Sequence, residues 1–353
     1  MSRLPYSERI QSLHSHIPDS NWRLISNPTD IYYYTGLDCT ESPEREAWLF
    51  VNNTQTLLCH TPFLVPSANS YAVLASLRVH EVAKKLISLC DEKTHLTVAL
   101  DTDNITVAEQ EAFATLFTVT QLNRKFLWEQ RQLKSKLEIQ HLTSAAQITA
   151  RVMEKTIKAL RVGITEQDLL RSVLQFFLEE KATAAFPPVI AFGDHTALPH
   201  HRPSTTVLEK NMPVLLDIGA KYEMYCGDMT RTVWFGDTVD PEFVKIESIV
   251  KDAYSQAEQQ AVAGSAISAV DRAARDLISA AGYGPYYIHT TGHGLGLEIH
   301  EPPSLYHTES GKLETNSTIT IEPGIYVPGK FGYRYENTLL ITTKQPKILT
   351  KTE

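Results

Sequence analysis

Acidic residues and a histidine recur inside apolar or glycine-rich motifs in the C-terminal two-thirds of the chain. His293 lies among glycines, and Asp217 follows an aliphatic run in Val-Leu-Leu-Asp-Ile-Gly. Asp228, Glu322 and Glu336 are further acids in short motifs. Surface acids are not usually embedded among aliphatic residues, and a buried carboxylate needs a partner, which a metal ion can supply. We therefore take these residues as candidate metal ligands.

The composition of this ligand set predicts the class of metal. Carboxylates and one imidazole, with no thiolate near them, favour Mn²⁺, Co²⁺ or Zn²⁺ over softer ions. Five protein ligands are too many for one tetrahedral zinc. Four carboxylates, two of them able to bridge, suit two ions about 3.5–4 Å apart that share a water and lower its pKa. The expected chemistry is hydrolysis by a hydroxide formed near pH 7.

The glycines at 292, 294 and 296 have two interpretations. One is a phosphate-binding loop, but the spacing is not that of a dinucleotide motif and no Walker lysine follows. We expect instead a close approach of backbone segments beside His293.

Two predicted strand pairs must position the acids. Apolar runs at 213–220 and 231–236, with Gly227 as the turn, predict a β-hairpin that carries Asp217 and Asp228. Alternating patterns at 317–321 and 333–341 place Glu322 and Glu336 on another strand pair.

Predicted helices precede each pair. An amphipathic stretch follows the charged segment 128–138, and Thr165 is a predicted N-cap of a second helix. Helical sequence then resumes from 241 to about 281. The same order of elements, two helices and then strands that carry two acids, is therefore predicted twice.

The N-terminal part reads as an α/β domain. Strand-like pieces are expected at 31–34, 47–51, 57–61 and 96–100, and the tyrosines at 32–34 are interpreted as core packing rather than a ligand-stacking surface. We place the domain boundary near residue 127, which gives domains 1–127 and 128–353.

Composition excludes several classes of protein. A net charge of −8 without a basic cluster argues against nucleic acid as a partner. No apolar stretch reaches the roughly 18 residues of a membrane span, and residues 1–20 do not look like a secretory signal. The cysteines at 39, 59, 90 and 226 are widely spaced, which suits buried thiols in a reducing compartment. We expect a cytoplasmic protein without membrane contact.

A set of motifs in this order resembles one family. The motifs are Ala-Leu-Pro-His at 197–200, Asp-Ile-Gly-Ala at 217–220, Gly-Asp-Met-Thr-Arg-Thr at 227–232, His-Thr-Thr-Gly-His-Gly-Leu-Gly-Leu-Glu-Ile-His-Glu at 289–301, Ile-Glu-Pro-Gly-Ile-Tyr at 321–326 and Arg-Tyr-Glu-Asn at 334–337. They resemble the pita-bread (M24-type) metallopeptidases, in the aminopeptidase P and prolidase branch. The resemblance implies an α+β fold, with an N-terminal creatinase-like α/β domain before a pita-bread catalytic domain of pseudo-twofold repeated halves.

The resemblance also implies roles for individual residues. The ligands named above bind two divalent ions, manganese being favoured and cobalt or zinc being the alternatives, with Asp228 and Glu336 bridging them. Glu322 is in addition the proton acceptor. Two histidines, His200 and His300, contact the substrate near the scissile bond. Two further residues orient the ligands and balance their charge: His289 and Arg334. His201 has no motif support and is expected at the surface or rim.

The implied substrate is a peptide with proline at the second position. The stretch 27–36 resembles the creatinase-type domain, which favours cleavage after a residue that precedes proline. Ser304 stands where dipeptide-specific relatives often carry an arginine, so we expect an Xaa-Pro aminopeptidase, with an Xaa-Pro dipeptidase (prolidase) as the alternative. A homodimer involving the N-terminal domain is the implied assembly.

Two other classes of function are weighed against this one. A non-catalytic binding protein of the same fold is disfavoured because every ligand type is present, and a creatinase-like hydrolase works without these acids. Tyr333, Tyr335 and Asn337 depart from the family pattern, and we expect them to reshape the pocket wall.

Overall fold

The computed structural model describes residues 6–39, 44–66, 71–90 and 96–351. The chain forms two compact units, Met1–Gln130 and Arg131–Glu353. This division lies inside a helix, Lys125–Gln132, as does the boundary predicted at residue 127. Of the N-terminal segment 1–20, residues 1–5 lie outside the described residues.

The first unit contains a mixed sheet flanked by helices. Its strands are β1 Trp22–Ile25, β2 Ala47–Val51, β3 Thr56–His60, β4 Ala72–Leu74, β5 Thr97–Leu100 and β6 Thr118–Gln121, in the sheet order β4-β3-β2-β1-β5-β6. Its helices are α1 Tyr6–His16, α2 Pro28–Thr35, α3 Val79–Ser88, α4 Val107–Ala114 and α5 Lys125–Gln132. Trp22, Phe50 and Phe113 are buried between the sheet and helices. The predicted α/β character is confirmed.

The strand predicted at 31–34 is wrong, because these residues belong to helix α2. The Asn27 side chain accepts a hydrogen bond from the Asp30 backbone N–H, and Pro28 occupies the first turn. Gly36, with φ of 73°, ends the helix in the left-handed region. Tyr33 and Tyr34 are buried, as the core-packing interpretation expected.

The second unit contains long helices and several short sheets. Its helices are α6 Lys136–Lys158, α7 Glu166–Glu179, α8 Pro241–Gln260 and α9 Ile267–Ala280. Its strands are β7 Thr183–Ala184, β8 Val189–Phe192, β9 Met212–Ile218, β10 Ala220–Tyr222, β11 Tyr225–Cys226, β12 Met229–Phe235, β13 Gly292–Gly294, β14 Glu301–Leu305, β15 Thr318–Ile321, β16 Gly324–Val327, β17 Phe331–Arg334, β18 Asn337–Leu340 and β19 Lys347–Ile348.

The predicted repeat of two helices followed by strands is confirmed. Helices α6 and α7 share a core cluster with β8 and β9, and α8 and α9 share a second cluster with β15 and β18. Each buried aliphatic or aromatic side chain contributes about 1.5–3 kcal/mol through removal from water. The two clusters therefore hold the strands that carry the acids.

The helix starts follow from capping. Thr165 caps α7 by accepting from the Asp168 backbone N–H, as predicted. Ser135 and Glu138 form a capping box at the start of α6. Among the described helices, none has the length and apolar character that crossing a membrane requires.

Candidate metal centre and active site

Asp217 and Asp228 lie at the same end of an antiparallel strand pair. β9 and β12 pair with Asp217 opposite Thr230 and Ile218 opposite Met229. Asp228 immediately precedes β12. Strand pairing thus brings the two carboxylates to one place, as the sequence predicted.

The predicted turn at Gly227 is wrong. A small hairpin, β10 and β11, is inserted before β12, and its turn is made by Glu223 and Met224, with φ of 48° and 69°. Gly227 instead packs against α6, where an added Cβ would lie 2.7 Å from Thr149 Oγ1 and 2.9 Å from the Ala145 carbonyl oxygen. The glycine is needed for close approach rather than for a turn.

Glu322 and Glu336 occupy breaks between strands rather than positions within a strand pair. Glu322 lies between β15 and β16, and Glu336 lies between β17 and β18. Because Ile321 pairs with Asn337 and Gly324 pairs with Arg334, the two breaks face each other. The prediction of a shared strand pair is confirmed for the flanking strands and corrected for the two acids.

His293, on β13, directs one ring nitrogen towards the acids. Its Nδ1 donates to the Gly294 carbonyl oxygen at 3.0 Å, which leaves Nε2 without a proton in the neutral ring. Nε2 lies 3.3 Å from Glu322 Oε1 and 3.7 Å from Asp228 Oδ2. Burial lowers the pKa of His293, so the ring is held in the neutral form that binds metals.

The glycines around His293 permit close backbone contacts. A Cβ on Gly292 would collide with the Thr320 carbonyl oxygen, and one on Gly294 would collide with that of Pro302. A Cβ on Gly296 would lie 2.6 Å from Glu301 Oε2. The expected close approach is confirmed.

Arg334 connects the acids of the two halves. It donates to Asp217 Oδ2 at 2.6 Å, to the Tyr326 hydroxyl at 2.7 Å and to Thr230 Oγ1 at 3.0 Å. Thr230 in turn donates to Glu336 Oε2 at 2.6 Å. Burial disfavours the charge of Arg334, but Tyr326 and the carboxylates outweigh burial and raise its pKa well above the usual value. Arg334 is therefore a fixed cation beside the acids.

His289 joins this network through Tyr326. Its Nδ1 donates to the Thr290 carbonyl oxygen at 2.7 Å, and its Nε2 accepts from the Tyr326 hydroxyl at 3.0 Å. Burial lowers the pKa of His289, which keeps the ring neutral and this hydrogen-bond direction fixed.

The acids lie close together, and the single positive charge of Arg334 does not neutralise their combined negative charge. Burial, followed by repulsion from the neighbouring carboxylates, raises the pKa of Asp228 and of Glu336 well above the usual range. Burial also raises the pKa of Glu322. A bound cation would reverse these shifts, because it favours the ionised carboxylates.

The residues present fit a divalent metal. Ligand atoms of Asp228, His293 and Glu336 all lie within 4.8 Å of one another. Asp217 Oδ1 is buried and accepts no hydrogen bond from any described residue. A buried carboxylate oxygen without a donor, next to an oxygen-rich cluster, is the arrangement that a hard or borderline cation satisfies.

The cluster lies on the wall of a cavity of about 890 Å³. The sequence-predicted site residues that line it are Asp217, Asp228, His289, His293, His200, His300, Glu322, Arg334 and Glu336. The His300 ring packs edge-on against the His293 ring, with centroids 4.5 Å apart. His200 lies on the loop after the 3-10 helix Gly193–Ala197, with its side chain exposed to the cavity. Every predicted site residue therefore faces one space.

Comparison with known proteins identifies the family. The sequence model of metallopeptidase family M24 matches residues 140–343, and that of the creatinase/prolidase N-terminal domain matches residues 19–132. The chain belongs to metallopeptidase family M24. An uncharacterized peptidase of Staphylococcus aureus is 34% identical, over 98% of this chain and 99% of that protein.

Solved structures of two dipeptidases and one aminopeptidase share the fold over nearly the whole chain. The Xaa-Pro dipeptidase from Bacillus anthracis is 28% identical with a TM-score of 0.89, covering 99% of this chain and 98% of that one. A dipeptidase from Pyrococcus horikoshii is 32% identical with a TM-score of 0.87, at 99% and 98% coverage. The X-Pro aminopeptidase from Thermotoga maritima is 27% identical with a TM-score of 0.83, at 98% coverage of both. The predicted architecture of this M24 chain is confirmed.

The departures at Tyr333, Tyr335 and Asn337 do not reshape the pocket wall. None of these residues lines the cavity. Tyr333 packs against Phe243 in the core behind the sheet, and the Asn337 side chain donates to the Tyr254 hydroxyl at 3.0 Å. Their effect is on the packing of the second half of the M24 domain.

Several residues of this M24 site were missed from the sequence. Tyr326 stood in a quoted motif, but its hydroxyl contacts depend on the fold. His201 was expected at the surface or rim, and it does line the cavity. Its side chain is only 9% exposed, however, and is 2.8 Å from Glu166 Oε2. Arg202 lines the cavity, and the adjacent His-His-Arg letters in the sequence were the available signal.

Proposed function

We propose that this M24 peptidase cleaves the bond between an N-terminal residue and a following proline, acting as an Xaa-Pro aminopeptidase. The observation that carries the proposal is the acid cluster around His293 in a cavity that also presents His200 and His300. Relatives of known structure described as Xaa-Pro peptidases support the choice of proline.

We assign two divalent ions to the cluster, with manganese favoured. The residues that would hold them are Asp217, Asp228, His293, Glu322 and Glu336. When bound, such ions polarise a carbonyl oxygen and lower the pKa of water towards neutrality. The orphaned Asp217 Oδ1 and the raised carboxylate pKa values support this assignment.

Side chains of the protein carry out the proton transfer and stabilise the developing charge. Glu322 accepts a proton from the attacking water and returns it to the leaving nitrogen. That nitrogen belongs to a tertiary amide with no N–H of its own, so protonation is required for its departure. His200 and His300 donate to the oxygen on which negative charge develops.

Peptides longer than two residues are the proposed substrates. Ser304 on β14 lines the cavity, at the position where the family resemblance leads us to expect an arginine in dipeptide-specific enzymes. The large cavity accommodates residues beyond the proline.

One observation favours a dipeptidase as the second candidate. Arg202 is exposed and lines the cavity, and no ion pair to it occurs among the described residues. Arginine binds carboxylates in a bidentate fashion, so it offers the C-terminal carboxylate of an Xaa-Pro dipeptide a partner.

Peptide-length profiling separates the two candidates. For the manganese-loaded protein we expect kcat/KM for Ala-Pro-Ala to exceed that for Ala-Pro by roughly tenfold or more, about 1.4 kcal/mol, with Arg202→Ala having little effect. Cleavage confined to Ala-Pro, with a KM that rises in Arg202→Ala and recovers in Arg202→Lys, would establish the dipeptidase. Cleavage of Ala-Ala-Ala in preference to both proline peptides would refute the proposal.

The proposed assembly is a homodimer. Light scattering coupled to size-exclusion chromatography tests it, and a mass of one chain would contradict it.

A further inference from the structure

A buried carboxylate outside the ligand set binds both flanks of the segment that carries His200. Glu166 is the first residue of α7 and is fully buried. Its Oε1 accepts from the Phe192 backbone N–H and from His195 Nδ1, each at 2.9 Å. These donors precede His200 in the chain.

The other oxygen of Glu166 binds the residues that follow His200. Oε2 accepts from His201 Nε2 at 2.8 Å, from the Ser204 backbone N–H at 2.8 Å and from the Ser204 hydroxyl at 2.7 Å. The rings of His195 and His201 stack with centroids 4.2 Å apart. One carboxylate thus ties the two ends of the His200 loop together.

This cluster has the composition of a metal site, but its hydrogen bonds argue for another role. Both oxygens of Glu166 already accept from N–H and O–H groups. Neutral His195 protonated at Nδ1 and neutral His201 protonated at Nε2 satisfy the geometry without a cation. The hydrogen bonds also outweigh the effect of burial, and the pKa of Glu166 is lowered, so the carboxylate is a stable anionic acceptor.

His200 itself has little else to hold it. Its side chain is exposed to the cavity, and the backbone hydrogen bonds nearest to it are those from Leu198 to His195 and from His201 to Leu198, while the Ser204 carbonyl oxygen accepts from the Gln167 N–H at the far end of the loop. The position of the His200 ring therefore depends on its backbone, which the neighbouring His201 fixes through Glu166.

We propose that Glu166, acting through His195 and His201, is a positioning residue that sets His200 in the cavity wall. The consequence for turnover rests on the proposed function, because it requires that His200 touch the substrate. The placement of the loop does not rest on it.

The first test is a double-mutant cycle between Glu166 and His200. In Glu166→Gln an amide N–H₂ replaces one acceptor and faces existing donors. We expect kcat/KM for Ala-Pro-Ala to fall about 10–100-fold, mainly in kcat, with unchanged metal content. In a His200→Ala background the same change should cost less than about twofold. Glu179→Gln, near the other end of α7, is the matched control and should leave kcat/KM unchanged. An equal loss in both backgrounds would overturn the proposal.

A second pair of variants covers the case in which Glu166→Gln does not fold. His201→Gln retains an N–H donor for Glu166, whereas His201→Phe keeps the stacked ring without the donor. We expect His201→Gln to stay within a few-fold of the wild type and His201→Phe to lose kcat as Glu166→Gln does. Equal losses in both variants would contradict a role for the hydrogen bond.

A measurement independent of activity separates this inference from the proposed function. Hydrogen–deuterium exchange of the full chain should become faster over 193–204 in His201→Phe, with His201→Gln and the remaining M24 domain unchanged. Unchanged exchange in this segment would overturn the inference. If His201→Phe shows the exchange effect but the wild-type protein does not cleave Xaa-Pro peptides, the proposed function alone is refuted.

Discussion

Asp228, one of the proposed metal ligands, connects the stability of the fold to metal binding. It is buried, and burial together with Glu336, Asp217 and Glu322 raises its pKa well above the usual range. Without a cation, ionising this group costs folding free energy. When a cation is bound, the same closely spaced carboxylates contribute to its binding affinity.

The variant Asp228→Asn should therefore separate activity from stability. The amide keeps the shape but removes one charge and one ligand oxygen. We expect kcat/KM to fall at least about 100-fold, or 2.7 kcal/mol, while the metal-free form gains unfolding free energy at neutral pH, because a crowded buried charge is removed. Kinetics, metal analysis and denaturation in chelator measure these effects. Asp252→Asn, at an exposed position of α8, is the control. Retained turnover in Asp228→Asn with added Mn²⁺ would contradict the ligand assignment.

At the scale of elements, β13 depends on glycine because two backbones meet there. Gly292 lies against the carbonyl group of Thr320 on β15, and a Cβ would collide with that oxygen. Backbone atoms do not rotate away as a side chain does. Any shift of β13 also moves His293.

Gly292→Ala should consequently destabilise the fold and weaken the site together. We expect a loss of about 1–3 kcal/mol in unfolding free energy from overpacking, accompanied by weaker metal binding. Chemical denaturation and metal titration measure the two effects. Gly163→Ala is the comparison, because its Cβ meets nothing within 4 Å and its positive φ costs only about 1–2 kcal/mol. Metal affinity lowered equally in both variants would argue against the local collision.

A buried ion cluster fixes the segment that leads to His300. Glu301, at the start of β14, binds Arg131 and Lys134 and also accepts from the backbone N–H of Leu297 at 3.0 Å. Burial opposes its ionisation, but the two cations outweigh burial and lower the pKa of Glu301 to about 2. The cluster thus holds the chain between Leu297 and β14.

Glu301→Gln should destabilise the protein in a pH-dependent way. Because the folded pKa is below the unfolded value of about 4.3, the stabilising contribution is present above that value and is lost as pH falls towards 2. We expect a loss of about 3–5 kcal/mol at neutral pH, since Lys134 and Arg131 both lose a buried carboxylate partner, while Arg131 keeps its ion pair with Glu298. Urea unfolding at several pH values should show the gap between wild type and Glu301→Gln narrowing in acid. A gap independent of pH would contradict this, and Glu209→Gln, at an exposed position, should show none.

At the scale of the whole M24 domain, the site joins the two repeated halves. Asp217 and Asp228 come from the strands after α6 and α7, and His293, Glu322 and Glu336 come from the region after α8 and α9. A metal bound to both sets cross-links the halves.

Metal removal should therefore lower stability most at neutral and alkaline pH. The raised pKa values of Asp228 and Glu336 mean that the folded metal-free protein binds more protons than the unfolded chain. Its stability falls as pH rises from ordinary carboxyl values of about 4 through the raised ones. Metal at 100 times its dissociation constant should restore about 2.7 kcal/mol. Melting temperatures with chelator and with Mn²⁺ across this pH range test the prediction. A metal effect that is absent, or that grows in acid, would contradict it.

Sequence patterns predicted elements well where the signal is local. The cap at Thr165, the helices α6 to α9 and the strands β2, β3 and β5 follow from capping residues and apolar periodicity. The failure at Tyr32–Tyr34 has a local reason as well. Aromatic residues favour strands, but the N-cap Asn27 and Pro28 in the first turn stabilise a helix here.

Non-local effects account for the other errors. Gly227 resembled a turn residue, although its lack of a Cβ serves packing against α6. Tyr333 and Asn337 are close in the sequence to the proposed ligand Glu336. Their side chains nevertheless pack in the core, because successive side chains of a strand point to opposite faces.

The acids and the histidine of the proposed metal site, the order of their motifs and the repeated halves could be predicted from the sequence alone, because each depends on short-range chemistry. Tertiary structure decided the rest. The contacts of Arg334 with Asp217, of Glu166 with His201, and the entry of Arg202 into the cavity wall join segments far apart in the chain. Strand register and burial bring such segments together, and residue type alone does not specify either.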